Sequence, residues 1–362
     1  MVQNNQFQFR GKRLSPGLMC LFSITLFLLL CQNAYGQENE NNRSWNQPVK
    51  PFRVVGNIYY VGASDLTSFL ITTPKGHILL DGGFVETVPQ IKENIKTLGF
   101  RLEDVKILIN SHAHNDHAGG LAALKALTKA KLYASRADAV LLASGGKGDP
   151  NFGDDFAFTP VQADKILRDG DTIKLGGVVL TAHLTPGHTK GCTTWTMKVS
   201  DGGKSYNVVF VGSTSAPGYK LVDNAQYPNI VEDYERTFRL LNKLPCDVFL
   251  GSHGRFFGLQ KKIALLAENP KQNPFVDSEG YENYLKQAEE NFREQLKKQQ
   301  QERRKKGMTK QQVSQIYYYQ KFKEKIFSMA GCVYAGRNCL SFSGLGSISR
   351  IRFKGNKGAG KP

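Results

Sequence analysis

Short apolar runs separated by turn-forming residues occupy the first part of the chain after residue 50. A Gly-Asn pair at 56–57 and a Pro-Lys-Gly sequence at 74–76 have the composition of tight turns between strands. From Val88 the period changes, because apolar residues recur at helical spacing until Gly99, a residue typical of helix ends. The pattern predicts a helix over 88–98 after four strands, at residues 52–55, 58–61, 68–73 and 77–81.

Strand and helix patterns alternate over the next 150 residues. The predicted strands are 105–110, 131–134, 178–183, 193–199, 207–211 and 247–250, and the predicted helices are 121–127, 138–143 and 230–241. Strands followed by helices, repeated twice, favour two β-sheets with helices outside, an α/β sandwich. Residues 145–161, rich in Gly, Asp and Pro, predict a long loop of the kind that borders binding sites.

The end of the chain changes character. Apolar residues step by three or four between Tyr281 and Leu296 and predict one helix with a single apolar face. The sequence that follows, QQQERRKKG, has no apolar face, and the remainder is rich in Lys and Arg and then in Gly and Ser. We therefore predict one folded domain over residues 37–300 and a basic, Gly/Ser-rich disordered tail over residues 301–362.

Positive charge is confined to the two ends of the 362-residue chain. The formal net charge is +17, of which residues 1–36 carry +3 and residues 291–362 carry +14. Residues 37–290 contain equal numbers of acidic and basic side chains, so no nucleic acid is expected to bind the body of the protein.

The first 36 residues have the three parts of a secretory signal peptide. Basic residues at 10, 12 and 13 precede the apolar run LMCLFSITLFLLLC, and Ala34-Tyr35-Gly36 supplies small residues for cleavage before Gln37. The apolar run is shorter than the ~20 residues of a spanning helix, so no stable membrane anchor is expected after cleavage. This predicts a periplasmic or secreted protein. The four cysteines after residue 36 (Cys192, Cys246, Cys332 and Cys339) lack metal-finger spacing, so the fold is not expected to depend on a disulfide framework.

The strand predicted at 105–110 runs directly into SHAHNDHAGG, which contains four candidate metal ligands. In an extended segment His112 and His114 point the same way, and Asp116 and His117 follow as the chain turns into a helix. One short segment can therefore serve two ions, one through the first pair and one through the second.

Two further histidines follow other predicted strands. His188 lies in the turn TPGH, and His253 follows the strand at 247–250. His77 reads as a packing or surface histidine, and His183 is interpreted as a packing residue or as a partner of a ligand. Six ligands rich in nitrogen, shared by two ions, favour two Zn²⁺ per chain with positions open for water, the pattern of a catalytic site.

These motifs resemble the metallo-β-lactamase superfamily, and further blocks over residues 45–297 resemble its subclass B3. The blocks are WNQP at 45–48, NIYYVG at 57–62, TAH at 181–183, STSAPGY at 213–219 and LPCD at 244–247. The resemblance implies a four-layer αβ/βα sandwich with the metal site at one edge of the two sheets. It assigns His112, His114 and His188 to the first zinc ion, and Asp116, His117 and His253 to the second.

The resemblance also implies a function: hydrolysis of the β-lactam amide bond of penicillins, cephalosporins and carbapenems, which confers antibiotic resistance. A zinc-bound hydroxide would attack the ring carbonyl, with Asp116 orienting it and Ser213 and Ser215 binding the substrate. Relatives outside this subclass usually supply a bridging Asp from a Gly-Asp turn, where this chain has Gly212-Ser213. A counterpart of the cysteine that pairs with Cys246 in B3 relatives is missing from 277–296, which leaves Cys246 free or paired with a tail cysteine.

Two other interpretations stay open at this stage. The same di-zinc site could hydrolyse another cyclic or activated ester, such as a lactone or a thioester. Alternatively, the basic tail could make the chain a polyanion-binding surface protein with a vestigial metal site. For the enzyme, we expect a small-molecule β-lactam substrate and a monomer.

Overall fold

The structure, a computed structural model, describes residues 44–306, 317–319 and 321–322. The chain divides into two compact units, residues 1–300 and residues 301–362. In the second unit the described residues are helical. The predicted signal peptide and most of the predicted tail lie outside the described residues. Among the described residues, none of the helices has the length and apolar composition that crossing a bilayer requires.

Seven strands in sequence order form the first sheet of unit 1. Its first four strands are antiparallel, and the fourth to seventh are parallel. The strands are β1 (Phe52–Val55), β2 (Ile58–Tyr60), β3 (Phe69–Ile71), β4 (His77–Leu80), β5 (Val105–Ile109), β6 (Lys131–Ser135) and β7 (Lys165–Leu167).

Five strands form the second sheet, in the order β12-β11-β10-β9-β8. β11 and β12 are parallel and the other pairs are antiparallel. The strands are β8 (Thr172–Leu175), β9 (Val178–Leu184), β10 (Thr193–Asp201), β11 (Lys204–Val211) and β12 (Val248–Gly251).

Helices cover the outer faces of both sheets. They are α1 (Val88–Thr97), α2 (Asn115–Ala118), α3 (Leu121–Thr128), α4 (Arg136–Ser144), α5 (Ile230–Leu241), α6 (Leu259–Glu268) and α7 (Ser278–Lys306), with 3-10 turns at Val85–Thr87, Leu102–Asp104 and Gly254–Phe257. Apolar residues of α1, α3 and α4 pack on the first sheet, and α5 and α7 pack together and against the second. The α/β sandwich predicted from the sequence is confirmed.

The largest apolar cluster joins the two sheets. Phe69 of β3 packs edge-to-face on Phe210 of β11, with ring centroids 5.2 Å apart, and both rings are buried. Trp195 of β10 donates its indole N–H to the carbonyl of Asn110, directly after β5, at 3.0 Å. The Ser111 carbonyl accepts from the Thr193 N–H at 2.8 Å. The sheets are therefore fastened together at the edge where β5 ends.

Four elements differ from the pattern-based prediction. β7 and β8 were not predicted, because β7 buries only Leu167 and β8 only Ile173, too few for a visible alternation. α6 was missed because it buries only Leu259 and Lys262. α7 runs six residues beyond the predicted domain boundary at 300, since Gln, Glu, Arg and Lys sustain a helix without an apolar face.

Candidate metal centre

The segment after β5 carries four of the six predicted ligands on a turn that starts where the strand ends. β5 ends at Ile109, and α2 begins at Asn115. Asp81, which follows the neighbouring strand β4, accepts a hydrogen bond from the Ser111 N–H at 2.6 Å. This contact fixes the path by which the segment leaves the sheet.

The other two predicted ligands reach the same place from the second sheet. His188 lies on the turn after β9, and His253 follows β12. Gly187 has a φ of 137°, and a side chain there would collide with the ring of Tyr234. Glycine at this position therefore allows the turn to carry His188 toward the end of β5.

The structure brings His112, His114 and His188 together as a first triad. All three side chains are buried, and their ligand atoms lie within 4.8 Å of one another. His114 Nδ1 and His188 Nε2 are 3.1 Å apart, and the buried Nε2 of His112 has no hydrogen-bond partner among the described residues. Nitrogen ligands of one tetrahedral zinc ion lie about 3.3 Å apart. The first triad therefore fits a metal ion.

Asp116, His117 and His253 form a second triad beside the first. Asp116 Oδ2 is 3.2 Å from His117 Nε2 and 3.4 Å from His253 Nε2, and the two Nε2 atoms are 3.2 Å apart. The rings of His112 and His117 adjoin each other, with centroids 4.2 Å apart. The two triads therefore share one buried space, which we call the donor cluster.

Each histidine of the donor cluster has its other ring nitrogen beside an oxygen atom. His188 Nδ1 donates to the Ser215 carbonyl at 2.8 Å, which leaves Nε2 unprotonated when the ring is neutral. The remaining contacts are His253 Nδ1 with Asp65 Oδ2 at 2.9 Å, His112 Nδ1 with Ser111 Oγ at 3.1 Å, His114 Nε2 with Asp149 Oδ2 at 3.3 Å, and His117 Nδ1 with Asp81 Oδ2 at 3.5 Å. These oxygens orient lone pairs toward the centre, as in histidine metal sites.

The electrostatics of the donor cluster also suit a cation. Burial lowers the pKa of His112 and of His188, and neighbouring histidines lower both further, so these rings are neutral and able to ligate. Burial alone would lower the pKa of His117, but the carboxylates of Asp116 and Asp81 raise it to about 10. Two carboxylates therefore favour a positive charge at His117, which a metal ion would supply in place of the proton.

Three aspartates of the site were not found by sequence reasoning: Asp65, Asp81 and Asp149. Asp81 carried a signal, because it is an acidic residue at the carboxyl end of a buried strand next to β5. Its φ of 62° is unusual for a residue other than glycine and marks a constrained backbone at the site. Asp65 and Asp149 lie in loops, and only the tertiary fold places them near His253 and His114.

The remaining sequence candidates lie at the edge of the site or away from it. Ser215 lines the cleft above the donor cluster, whereas Ser213 is buried behind it, with the two Oγ atoms 3.2 Å apart. His183 Nε2 is 2.8 Å from Thr196 Oγ1, and His77 packs edge-to-face on a phenylalanine ring, so neither joins the donor cluster. Cys192 and Cys246 form no disulfide with each other, and the tail cysteines lie outside the described residues.

A cleft of about 270 Å³ opens above the donor cluster. His114, Asp116, His188 and His253 form part of its lining. Its walls are largely aromatic, and its polar groups include Asn115, Ser215 and Arg255. Phe152 and Phe156 come from the predicted loop at 145–161, so that loop does border the site. The aromatic and apolar wall residues are Trp45, Phe84, Phe152, Phe156 and Pro217.

Asp149 contacts both His114 and the backbone of its own loop. Its replacement tests whether the oxygen atoms around the histidines support metal binding. Its Oδ2 contacts His114, and its Oδ1 accepts from the N–H groups of Asn151 and Phe152. We expect Asp149→Ala to weaken zinc binding about 10- to 100-fold, because His114 loses its orienting partner. Competition with a chromophoric chelator measures this affinity.

The matched control is Asp155→Ala, an exposed aspartate of the same loop, for which we expect unchanged zinc affinity. Equal affinities for the Asp149 variant and the original protein would show that this contact does not support the metal.

Comparison with known proteins agrees with this geometry. Residues 62–253 match the metallo-beta-lactamase superfamily. FEZ-1, a metallo-beta-lactamase from Legionella gormanii, is 50% identical and superposes with a TM-score of 0.69 over 70% of this chain and 98% of that one. LRA-12, a class B3 di-zinc metallo-beta-lactamase from an Alaskan soil metagenome, is 36% identical, with a TM-score of 0.65 over 69% of this chain and 96% of that one.

Part of the chain is also similar to a relative whose name states a different activity. Human mitochondrial persulfide dioxygenase ETHE1 is 31% identical over 113 residues, which are 31% of this chain and 35% of that protein. The matching segment thus spans about a third of that curated relative. The superfamily match covers more than half of the chain and includes all six residues of the donor cluster, the last of which, His253, is its final residue. The chain therefore belongs to the metallo-β-lactamase superfamily.

Proposed function

We propose that the protein hydrolyses the amide bond of β-lactam antibiotics, as a subclass B3 metallo-β-lactamase with two zinc ions. The observation that carries this proposal is the pair of triads beneath an aromatic cleft, in a chain that spans 98% of a named metallo-beta-lactamase at 50% identity. The residue after Gly212 is Ser213, which is buried, so the Gly-Asp turn of other relatives is not available to supply a carboxylate. The second triad would therefore use His117 as its third ligand.

The first triad would hold one zinc ion and the second triad the other. When bound, zinc supplies a water nucleophile at neutral pH and a Lewis acid for the carbonyl. Asp116 lines the cleft, and its carboxylate can accept a hydrogen bond from the attacking water and orient it. Burial would raise the pKa of Asp116, but His117 and His253 hold it well below its usual value, so this carboxyl is ionised and able to accept.

The cleft supplies the contacts that would hold a β-lactam. Phe152 and Phe156 on one loop, with Trp45 and Phe84 elsewhere on the rim, offer apolar surface for side groups of the antibiotic. Ser215 lines the cleft, and its hydroxyl would donate to the substrate carboxylate. Ser213 would act through Ser215, since it is buried behind it.

The decisive experiment measures hydrolysis of a carbapenem, a penicillin and a cephalosporin by the purified protein. We expect activity that is lost on chelation and returns with Zn²⁺. His112→Ala removes a ligand of the first triad and should lower kcat/KM by about a thousandfold, since several kcal/mol of charge stabilisation are lost.

The matched control is His183→Ala, a histidine outside the donor cluster, which should retain near-normal kcat/KM. Turnover of lactones or thioesters without turnover of any β-lactam would replace the proposed substrate class. Activity that survives His112→Ala but disappears when the tail after residue 300 is removed would favour the polyanion-binding interpretation.

Asp116→Asn tests the orienting role separately from metal binding. The substitution keeps the shape of the side chain and removes its charge, so we expect zinc-loaded protein to lose about 100-fold or more in kcat. Zinc content is measured on the same sample by atomic absorption. Full activity at normal zinc content would exclude Asp116 from this role.

We also propose that residues 1–36 direct export and are then removed, which places a monomeric enzyme in the periplasm or outside the cell and lets it protect the cell from antibiotics. The apolar run and the small residues before Gln37 support this. The mass of the protein recovered from a periplasmic extract tests it: a mature chain beginning at Gln37 is expected, and an uncleaved chain in the cytoplasm would contradict it.

A further inference from the structure

The loop after β11 passes beside the first triad, and its buried tyrosine, Tyr219, contacts one histidine of that triad. Tyr219 is 2% exposed, and its ring stacks on His188 with centroids 5.6 Å apart. Its hydroxyl lies 3.3 Å from His188 Nδ1, and its ring also meets Phe152 edge-to-face at 5.5 Å. The position of this one side chain therefore affects both a predicted ligand and a wall of the cleft.

The backbone around Tyr219 belongs to no strand or helix, and side chains from α7 supply several of its hydrogen bonds. Gln299 Nε2 donates to the Tyr219 carbonyl at 2.7 Å, and Gln299 Oε1 accepts from the N–H groups of Leu221 and Val222 at 2.8 and 3.2 Å. Gln295, one helical turn earlier, donates to the same carbonyl at 3.0 Å. One amide thus satisfies three backbone groups spread over four residues.

We propose that Gln299, supported by Gln295, is a positioning residue that holds Tyr219 against His188. This inference rests on the proposed function for its kinetic consequence, although the hydrogen bonds themselves do not. An amide that both donates and accepts locks a loop more firmly than a single contact, because losing it leaves several backbone groups unpaired. Gln295 and Gln299 of α7 therefore support the candidate site, although neither residue lines the cleft.

Two substitutions of Gln299 separate the hydrogen bond that it donates from the two that it accepts. Gln299→Met keeps the length of the side chain and removes all three hydrogen bonds, whereas Gln299→Glu keeps an acceptor for the two N–H groups. Gln300→Ala is the matched control, because Gln300 is the exposed neighbour on the same helix. All variants are made in the full mature chain, and thermal unfolding confirms that each one folds.

Hydrogen exchange of the peptide that covers residues 215–222 provides a readout that does not depend on activity. We expect about tenfold faster exchange in Gln299→Met, a smaller change in Gln299→Glu, and none in Gln300→Ala. Unchanged exchange in Gln299→Met would overturn the proposal, whatever the substrate of the enzyme. If Gln299→Met fails to fold, Gln299→Glu decides by the same measure.

A double-mutant cycle with Tyr219→Phe tests whether Gln299 acts through Tyr219. We expect Gln299→Met to lower kcat about 5- to 20-fold in the original protein and much less in the Tyr219→Phe background. Equal effects in both backgrounds would show a general structural role and overturn the proposal. If the original protein hydrolyses no β-lactam, the proposed function fails, and the exchange experiment still decides on Gln299.

Discussion

The contacts between oxygen atoms and the outer nitrogens of five buried histidines are the constraint on which the rest of the site depends. An imidazole can point either nitrogen inward, and only an oxygen at the other nitrogen decides which one carries the proton. Here those oxygens come from five separate places: Asp65, Ser111, Asp81, Asp149 and the Ser215 carbonyl. The two sheets must therefore be fixed relative to each other before the donor cluster exists.

Residues 37–290 have no net charge, but their carboxylates are concentrated around the donor cluster. Asp65, Asp81, Asp116 and Asp149 each lie within 3.5 Å of a cluster histidine, and Arg255 pairs with Asp65. Their combined negative charge is close in magnitude to the charge of two divalent cations. Burying such a set without cations would be costly, since like charges would face one another in a poorly solvated space.

The parts of the structure that could be predicted from the sequence are those with dense local signals. His112 to His117 fall within six residues, and central strands such as β5 bury almost every side chain. The partners of the histidines could not be predicted in this way. Asp65 and His253 are 188 residues apart, and backbone contacts between residues 65–67 and residues 252–254, among them the bridge of Leu66 with His253, bring them together. Gln299 carried no signal either, because a glutamine on a polar helix face is ordinary.

Asp149 contacts His114 through one carboxylate oxygen. Through the other it accepts a hydrogen bond from Phe152, in the turn that carries Phe152 to the cleft. This makes occupancy of the metal centre and the conformation of the loop thermodynamically linked. By reciprocity, any ligand that stabilises this conformation of the loop tightens metal binding by the same factor by which the metal tightens binding of that ligand. An enzyme built in this way would retain its metal best while substrate is present and release it most readily when substrate and free zinc are both scarce.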